Sequence, residues 1–463
     1  MMTLHEAARA VQSEWTGSDV LFTSVSTDTR TLQPGSLFIA LSGEHFDGAR
    51  FVAGAIDRGA VAAMINAQAS VQNVPAHLPV IRVKDTRLAL GQLAAYWRNR
   101  FALPLIAVTG SNGKTTVKEM IAAILRQVDV TRHEQEGEVY DHLLVTEGNL
   151  NNDIGVPQML LRLRAHHRYA VIEMGMNHVG EIAYLTDLAK PDVAVITNAG
   201  AAHIEGLGSV DAVARAKAEI FQGLSVHGTA VINADDAHAT LWRRCAGARE
   251  ILDFGLREHA RVSADYESLP LASRVTMRLS EGEVDVMLQV SGVHNIYNAL
   301  AAAAATTALG IGTACIAAGL AHFQGVPGRL QKKSGVHQAL LIDDTYNANP
   351  DSVKAALAVL AATSGKKILV LGDMGELGAS SVELHRTIGR DARQAGLDRL
   401  LTLGELSAYA TQEFGPGGQH FDSLDDLLDA TESMLDRDVT LLVKGSRFMH
   451  MERVVRQLEN KPS

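Results

Sequence analysis

Ala107 to Thr116 reads AVTGSNGKTT, a lysine and two threonines directly behind a turn bounded by glycines. That order is how a chain builds a cradle for phosphate. The apolar run Leu103 to Val108 predicts a strand, and the residues after Lys114 predict a helix whose N-terminal N–H groups point back at the turn. The glycines let the backbone approach an anion closely. Lys114 supplies a point charge and the Thr115 hydroxyl can ligate Mg²⁺. The usual G-x-x-x-x-G-K-[ST] spacing puts glycine at position 108, where Val108 stands. The loop is therefore the variant Thr109, Gly110, Ser111, Asn112, Gly113, Lys114, Thr115, with Thr116 following. An ordinary strand-to-helix loop is the alternative, and the strand, turn and helix around the motif favour the cradle.

Three further features stand at predicted strand ends, where an α/β protein assembles its site. Glu173 ends the buried run Val171-Ile172-Glu173-Met174-Gly175, placed as a Mg²⁺ ligand must be or as the cap of a nearby helix. The stretch Ile196 to Gly200 leads to His203 and Glu205, and His203 either reaches a second metal or stabilises its loop. Lys217, in the helical run Arg215 to Phe221, reads by itself as a solvated helix residue.

The elements that must position these residues alternate along 463 residues of 47% hydrophobic and 20% charged composition. Strand-like runs and helical stretches predict an α/β fold in three domains. Residues 1–84 form a small α/β domain. Residues 85–326 form a central doubly wound, mostly parallel sheet around the phosphate loop, and 327–463 a third domain of the same Rossmann-like class. The Ala-rich stretch Asn298 to Phe323 predicts two closely packed helices, the second capped by Thr313, and not a membrane span. Arg132 to His142 reads as an acidic, solvated surface loop. A net charge of −10 without a Lys/Arg run argues against nucleic acid as partner. Cys245 and Cys315 lack metal or disulfide spacing and are expected to be small buried groups. The N-terminal segment MMTLHEAARA shows no secretion signal, which predicts a cytoplasmic protein with no membrane attachment. No heptad pattern or extended apolar face argues for assembly, so a monomer is expected.

Taken in order, TGSNGKTT, Gly148-Asn149-Leu150-Asn151-Asn152, EMG, the Asn198 and His203 segment, AKAEIF, Gly292 to Asn298 and Gly328-Arg329 together resemble the Mur ligases, over nearly the whole chain. These are ATP-dependent amide-bond formers of peptidoglycan precursor synthesis. STDTR at 26–30 followed by PGSLFIAL, GNLNNDIGVP, LGDMGELG at 371–378 and VKGSRFMHMERVV at 443–455 resemble the members that join D-alanyl-D-alanine to UDP-N-acetylmuramoyl-tripeptide.

The resemblance implies that an acyl phosphate forms at the expense of ATP and is then attacked by the dipeptide amine. It implies that Thr115 and Glu173 hold a first Mg²⁺, that His203 and a CO₂-derived carbamate on Lys217 serve a second, and that His294 and Asn295 contact adenine. Arg329 and Asp344 would reach phosphate and ribose. Asp28, Thr29, Arg30, Ser42, Gly43, Phe46, Asp47 and Gly48 would bind the uridine-diphosphate and muramoyl end of the first substrate. Asn149, Asn151 and Asn152 would lie on that substrate's path. Tyr346, Asn347, Asn349, Lys444, Ser446 and Arg447 would line the dipeptide pocket, although Gly445 to Met451 also reads as a turn opening the last helix. A folylpolyglutamate synthetase shares the loop and the lysine but carries a pterin signature that is absent here. A motor or regulatory NTPase would need a Walker B aspartate, and a nucleotide-binding scaffold without catalysis is the third alternative.

Overall fold

A computed structural model of the chain describes residues 1–43, 46–69, 78–133, 141–200, 207–269 and 271–460. Its centre is the strand Leu105–Thr109, whose five residues are all buried. Burial on both faces is what a parallel strand between two helical layers requires. This strand lies between Tyr169–Glu173 and Val193–Ile196, with Val108 opposite Glu173 and Thr109 opposite Ile196. The three strands therefore end together, and the loops that follow them meet in one crevice.

Among the described residues the central sheet has nine strands. Leu143–Val145, Tyr169–Glu173, Leu105–Thr109, Val193–Ile196, Thr229–Asn233 and Glu250–Gly255 run parallel. Val262–Leu269 continues them, and Ala272–Leu279 and Gly282–Leu288 extend the sheet antiparallel. Burial alternates residue by residue along Ala272–Leu279, as on a strand with one wet face. The expected mixed α/β architecture, mostly parallel, is thus what the chain adopts.

A smaller sheet in the order Trp15–Thr16, Val80–Val83, Ala62–Asn66, Ser36–Ile39, Ser24–Ser26 occupies the N-terminal part, and a six-stranded sheet built on Leu340–Asp344, Val439–Lys444 and Lys366–Gly372 the C-terminal part. The N-terminal part shares one hydrophobic cluster with the central unit, running from Met2 and Leu37 through Leu90 and Trp97 to Leu185 and Trp242. Helix Thr86–Arg98 forms the join. Trp97 Nε1 donates to Leu163 O at 3.0 Å and Arg98 Nε to Ala189 O at 2.9 Å. The C-terminal part has two clusters of its own, against which Leu271 of the central unit is the outlying contact.

The phosphate-loop helix Lys114–His133 is held from behind by Val293–Thr307 and Thr313–His322. Ala299 and Ala301 to Ala305 are essentially buried, so small side chains let the helix backbones approach. The N-cap of the second Ala-rich helix is Gly312, which makes no side-chain cap bond, and Thr313 is the first helical residue, not the cap. No helix among the described residues is long and apolar enough to cross a membrane. Cys245 is exposed and Cys315 only partly buried, because both fall on the outward sides of their helices, contrary to the expectation of buried thiols. Arg132 and His133 end the phosphate-loop helix, and residues 134–140 lie outside the described residues.

The closest approach is at Gly319, where an added Cβ would stand 2.4 Å from Ile124 Cα and 2.6 Å from its N. Backbone cannot rotate away as a side chain can. Gly319→Ala is expected to cost about 1–3 kcal/mol by overpacking, read as a lower urea midpoint at unchanged slope; a loss below about 0.5 kcal/mol would show that the helices separate freely.

Candidate active site

The phosphate loop is pinned by the neighbouring strand end. Ser111 N donates to Asn198 O and Asn112 N to Asn198 Oδ1, both at 3.0 Å, while Thr197 Oγ1 and Asn198 Nδ2 donate to Asn112 O at 2.6 and 3.0 Å. Thr109 Oγ1 donates to Met174 O at 2.9 Å. Gly113 has φ +83°, and a Cβ there would meet Asn298 Oδ1 at 2.3 Å, so only glycine satisfies both backbone and space. Lys114 turns its Nζ back over the loop onto Gly110 O at 2.7 Å. Thr115 and Thr116 are buried behind it.

Charge gathers around this loop. Glu173 is buried; its Oε1 accepts from Asn151 Nδ2 at 2.8 Å, and its Oε2 has no hydrogen-bond partner. A buried carboxylate oxygen without a partner is costly, and a cation is what would satisfy it. Glu173 with the Thr115 hydroxyl is an all-oxygen donor set, which suits Mg²⁺ completing its shell with water and phosphate. Among the described residues no three His, Cys, Asp or Glu side chains group to hold a metal by themselves. His203 lies outside the described residues.

Lys217 is fully buried, which overturns its reading as a solvated helix residue. Helix Val210–Ala218 turns that face to the core, and among the described residues no carboxylate is paired with the amine. Burial first, and then the Lys114 charge, push its proton affinity well below the usual lysine range. Burial lowers Lys114 as well; Glu173 and Glu376 oppose the shift and Arg329 adds to it.

Opposite stands the C-terminal part. Arg329 Nη2 donates to Thr115 Oγ1 at 2.9 Å, its guanidinium lies 4.1 Å from the centre of the Tyr346 ring, and its Nε is buried without a partner. Asp344 accepts Lys444 Nζ at 2.6 Å and Leu330 N at 3.2 Å, and burial raises its proton affinity in spite of the lysine. Lys444 also donates to Asn347 O at 2.9 Å. Asn349 caps helix Pro350–Ala361 and reaches across to Asn112 Oδ1 at 2.9 Å. Ser446 Oγ donates to Ala348 O at 3.1 Å and accepts from Gly375 N at 2.8 Å. His294 opens the Ala-rich helix, and burial with the nearby Lys444 charge lowers its pKa to about 4. Asn295 Nδ2 donates to Ser291 O at 2.8 Å.

One cleft of about 1050 Å³ joins these groups. Of the residues expected from sequence, Ser111 to Lys114, Thr116, Asn151, Asn152, Glu173, His294, Asn295, Arg329, Asp344, Tyr346, Asn347, Asn349, Lys444, Ser446 and Arg447 line it. Lys444 to Arg447 thus serve the cleft, and the turn reading also holds, since a 3₁₀ turn at Arg447–Met449 leads into the last helix, Glu452–Leu458.

Thr109, Gly110, Thr115, Asn149 and Lys217 are not on the cleft wall, and Asn152 spends its Oδ1 accepting from Ile154 N and Gly155 N at the start of helix Gly155–Leu160. The N-terminal candidates stand apart from the cleft. Asp28 and Arg30 pair with each other, Ser42–Gly43 pairs with Phe46–Asp47, Asp47 Oδ1 accepts from Ala49 N, and Gly48 packs on Leu41 O. The wall also includes Arg87, Asn177, His178, Glu181, Asn298, Asp351, Glu376 and Phe448, which sequence reasoning did not select. Asn298 lay one turn after the motif His294-Asn295; Glu376 lay inside the quoted LGDMGELG.

The residues at the ends of the central strands and the arginine reaching across from the C-terminal part place the chain in a known class. It matches the Mur ligase family catalytic domain over residues 21–98, the Mur ligase middle domain over 108–306 and the Mur ligase glutamate ligase domain over 328–447, and it belongs to the Mur ligase family. Within that family it is 42% identical to the UDP-N-acetylmuramoyl-tripeptide–D-alanyl-D-alanine ligase of Escherichia coli K12, over 99% of this chain and 98% of that protein. It is 36% identical to the Bacillus subtilis enzyme of the same name, over 95% of this chain and 93% of that protein. Among solved structures, MurF from Acinetobacter baumannii superposes with a TM-score of 0.88 at 38% identity over 98% of each chain. MurF ligase from Thermotoga maritima in complex with ADP gives 0.80 at 26%, over 95% of this chain and 97% of that one.

His294 generates a pH dependence of stability. It stays neutral in the fold down to about pH 4 and ionises near pH 6.5 when unfolded, so between these values the unfolded chain binds the extra proton. Stability therefore falls as pH drops through this window. His294→Gln is expected to lose less stability than the parent between about pH 7 and pH 4.5, by roughly 1 kcal/mol or more, in parallel urea titrations. Equal losses would mean that the ring is charged in the fold.

Proposed function

We propose that this chain joins D-alanyl-D-alanine to UDP-N-acetylmuramoyl-tripeptide, converting ATP to ADP and phosphate and giving UDP-N-acetylmuramoyl-pentapeptide for peptidoglycan synthesis. The observation that carries this reading is the contact of Arg329 with Thr115: a cation from the C-terminal part, on the cleft wall, stands on the phosphate loop of the central part. The names of its relatives supply the substrates.

Amide formation from a free carboxylate is uphill in water, so the carboxylate must first be made electrophilic. One of its oxygens attacks the ATP γ-phosphorus, ADP leaves, and an acyl phosphate results. The dipeptide amine then attacks the acyl carbon, the C–N bond forms as the C–O bond breaks, and phosphate departs. Both steps are chiefly positioning and charge neutralisation. Lys114 and the loop N–H groups hold the β- and γ-phosphates, and Arg329 meets the transferring group from the other side.

Thr115 and Glu173 would hold a first Mg²⁺, which when bound neutralises phosphate charge. His203 and Lys217 would serve a second, the lysine as a carbamate. A lysine kept neutral by burial is the form that adds CO₂, losing one N–H proton, and the carbamate would offer the second Mg²⁺ an anionic oxygen. His294 and Asn295 are assigned to adenine and Asp344 to ribose. The muramoyl nucleotide is assigned to Asp28, Thr29, Arg30 and the Ser42 to Gly48 segment, with Asn149, Asn151 and Asn152 on its path, and the dipeptide to the Tyr346 to Asn349 and Lys444 to Arg447 segments. In this reading residues 1–84, 85–326 and 327–463 act as the muramoyl, ATP and dipeptide units. In this reading the enzyme works as a cytoplasmic monomer.

Phosphate release from ATP is expected only when the tripeptide nucleotide and D-alanyl-D-alanine are both present. Release without the dipeptide at the full rate would point to an ordinary NTPase. Lys114→Ala is expected to lower turnover by about 10²-fold or more at unchanged thermal stability; near-parental turnover would remove the loop from the chemistry. Lys217→Ala should be inactive and partly restored by a short carboxylic acid filling the vacated space, and a fully active variant would dismiss the carbamate.

A further inference from the structure

The turn Asp373-Met374-Gly375-Glu376-Leu377 is tied down at Asp373 O, Met374 N and Gly375 N and places Glu376 on the cleft wall. Met374 N donates to His385 Nε2 at 3.0 Å; that ring is wholly buried, and its Nδ1–H donates to Ser381 O at 2.7 Å. The imidazole is thereby fixed as the neutral tautomer that accepts at Nε2. Gly375 N donates to Ser446 Oγ at 2.8 Å and Asp373 O accepts from Ser446 N at 3.0 Å. Asp373 Oδ1 accepts from Leu406 N and Ser407 N at 3.1 and 2.7 Å.

Glu376, the next residue, has φ +61°. This is the left-handed region, which costs a residue with a Cβ and recurs where surrounding contacts over-determine a functional conformation. Leu330 and His450 are the other described non-glycine residues with positive φ on the cleft wall. Neither has a carboxylate.

The position matters as much as the strain. Glu376 is exposed on the wall of the cleft that Lys114 also lines, and its neighbour Gly375 is bonded to Ser446 in the segment assigned to the dipeptide. Lys114 marks where the γ-phosphate binds, so the acyl phosphate forms beside it. A carboxylate that enters this cleft from the C-terminal part, beside the segment assigned to the dipeptide, stands on the side from which the incoming amine arrives. The other cleft carboxylates of that part are placed differently: Asp344 is paired with Lys444, and Asp351 lies with Oδ2 against Gly200 at the foot of the phosphate loop.

We propose that Glu376 receives the ammonium of the D-alanyl-D-alanine substrate and takes one proton from it. The inference rests on the ligase reading given above. Near pH 7 the dipeptide amine, with a pKa of about 8, is mostly protonated and cannot attack. Glu376 accepts one N–H proton; the freed lone pair forms the C–N bond at the acyl carbon; the second proton leaves the nitrogen with the departing phosphate, as HPO₄²⁻. Glu376 then returns its proton to solvent. His385, Asp373 and Ser446 act as positioning residues for this carboxylate.

The test is Glu376→Gln, which keeps size and removes charge, measured beside the parent and Asp351→Asn. At pH 7 kcat/KM for D-alanyl-D-alanine is expected to fall about tenfold or more, with KM for ATP within about twofold. The deficit should shrink toward pH 9, where the amine deprotonates unaided. Capture of the acyl phosphate by hydroxylamine, already neutral at pH 7.5, should stay within about twofold of the parent. Glu376→Gly, at ease with φ +61°, should show the same pattern without a lower Tm.

A deficit independent of pH, an equal loss with hydroxylamine or ATP, a Glu376→Gly enzyme as active as the parent, or the pattern appearing in Asp351→Asn instead would each overturn the proposal. If the parent itself does not turn over the dipeptide, the ligase reading fails. If the parent does and the variants match it, only the role of Glu376 fails.

Discussion

Buried charge without a neutralising partner is the most costly item in a folded chain, and here it is concentrated where three parallel strands end. Among the described residues, Glu173 Oε2 and Arg329 Nε are buried without a hydrogen-bond partner, and Lys217 sits in the core with no carboxylate paired to it. None of these groups could hold its place by its own contacts. The surrounding structure holds them: Asn198 grips the loop, Thr146 and Asn151 hold the Glu173 backbone and Oε1, and the Ala-rich helices press on the loop helix from behind. A metal would satisfy the carboxylate and a polyanion the arginine, so the same groups set both the cost of the fold and its affinity for phosphate.

The units are joined in two physically different ways. The N-terminal and central parts share a continuous apolar cluster around Leu90, Leu93 and Trp97, and Gln158 Nε2 donates across to Thr27 Oγ1 at 2.5 Å. Such a join resists relative movement. The C-terminal part meets the phosphate loop through Arg329 on Thr115 and Asn349 on Asn112. Hydrogen bonds between polar groups exchange with water at small net cost, so this seam can open and close around substrates.

Much of this was legible beforehand, for reasons that differ by residue. The phosphate loop, Glu173 and the alternation of strand and helix follow from local pattern, because glycine, buried β-branched runs and cap residues act on their own neighbourhood. The cap at Gly312, the exposure of the cysteines and the antiparallel extension by Ala272–Leu279 and Gly282–Leu288 depend on which face packs inward, which local pattern states weakly. Lys217 shows the limit most clearly. Its helix carries ordinary charged residues on either side, and only the tertiary placement of helix Val210–Ala218 makes it buried. Glu376 was hidden differently, since a positive φ on glutamate leaves no mark in residue type. The N-terminal candidates stay a matter of resemblance, because Asp28 and Arg30 satisfy each other.

The contrast between an apolar weld and a polar seam bears on how such a chain can diversify. A lineage that replaced everything after Pro327 would have to match a few hydrogen-bond donors, chiefly the arginine that reaches Thr115, and would leave the apolar cluster of the N-terminal and central parts intact. The phosphate chemistry could then be handed from one amine to another by exchanging the module that delivers it. Replacing the N-terminal part would tear that shared core. Novelty in the acceptor should accordingly come more readily than novelty in the nucleotide-linked donor, as a consequence of where oil and where water line the joints.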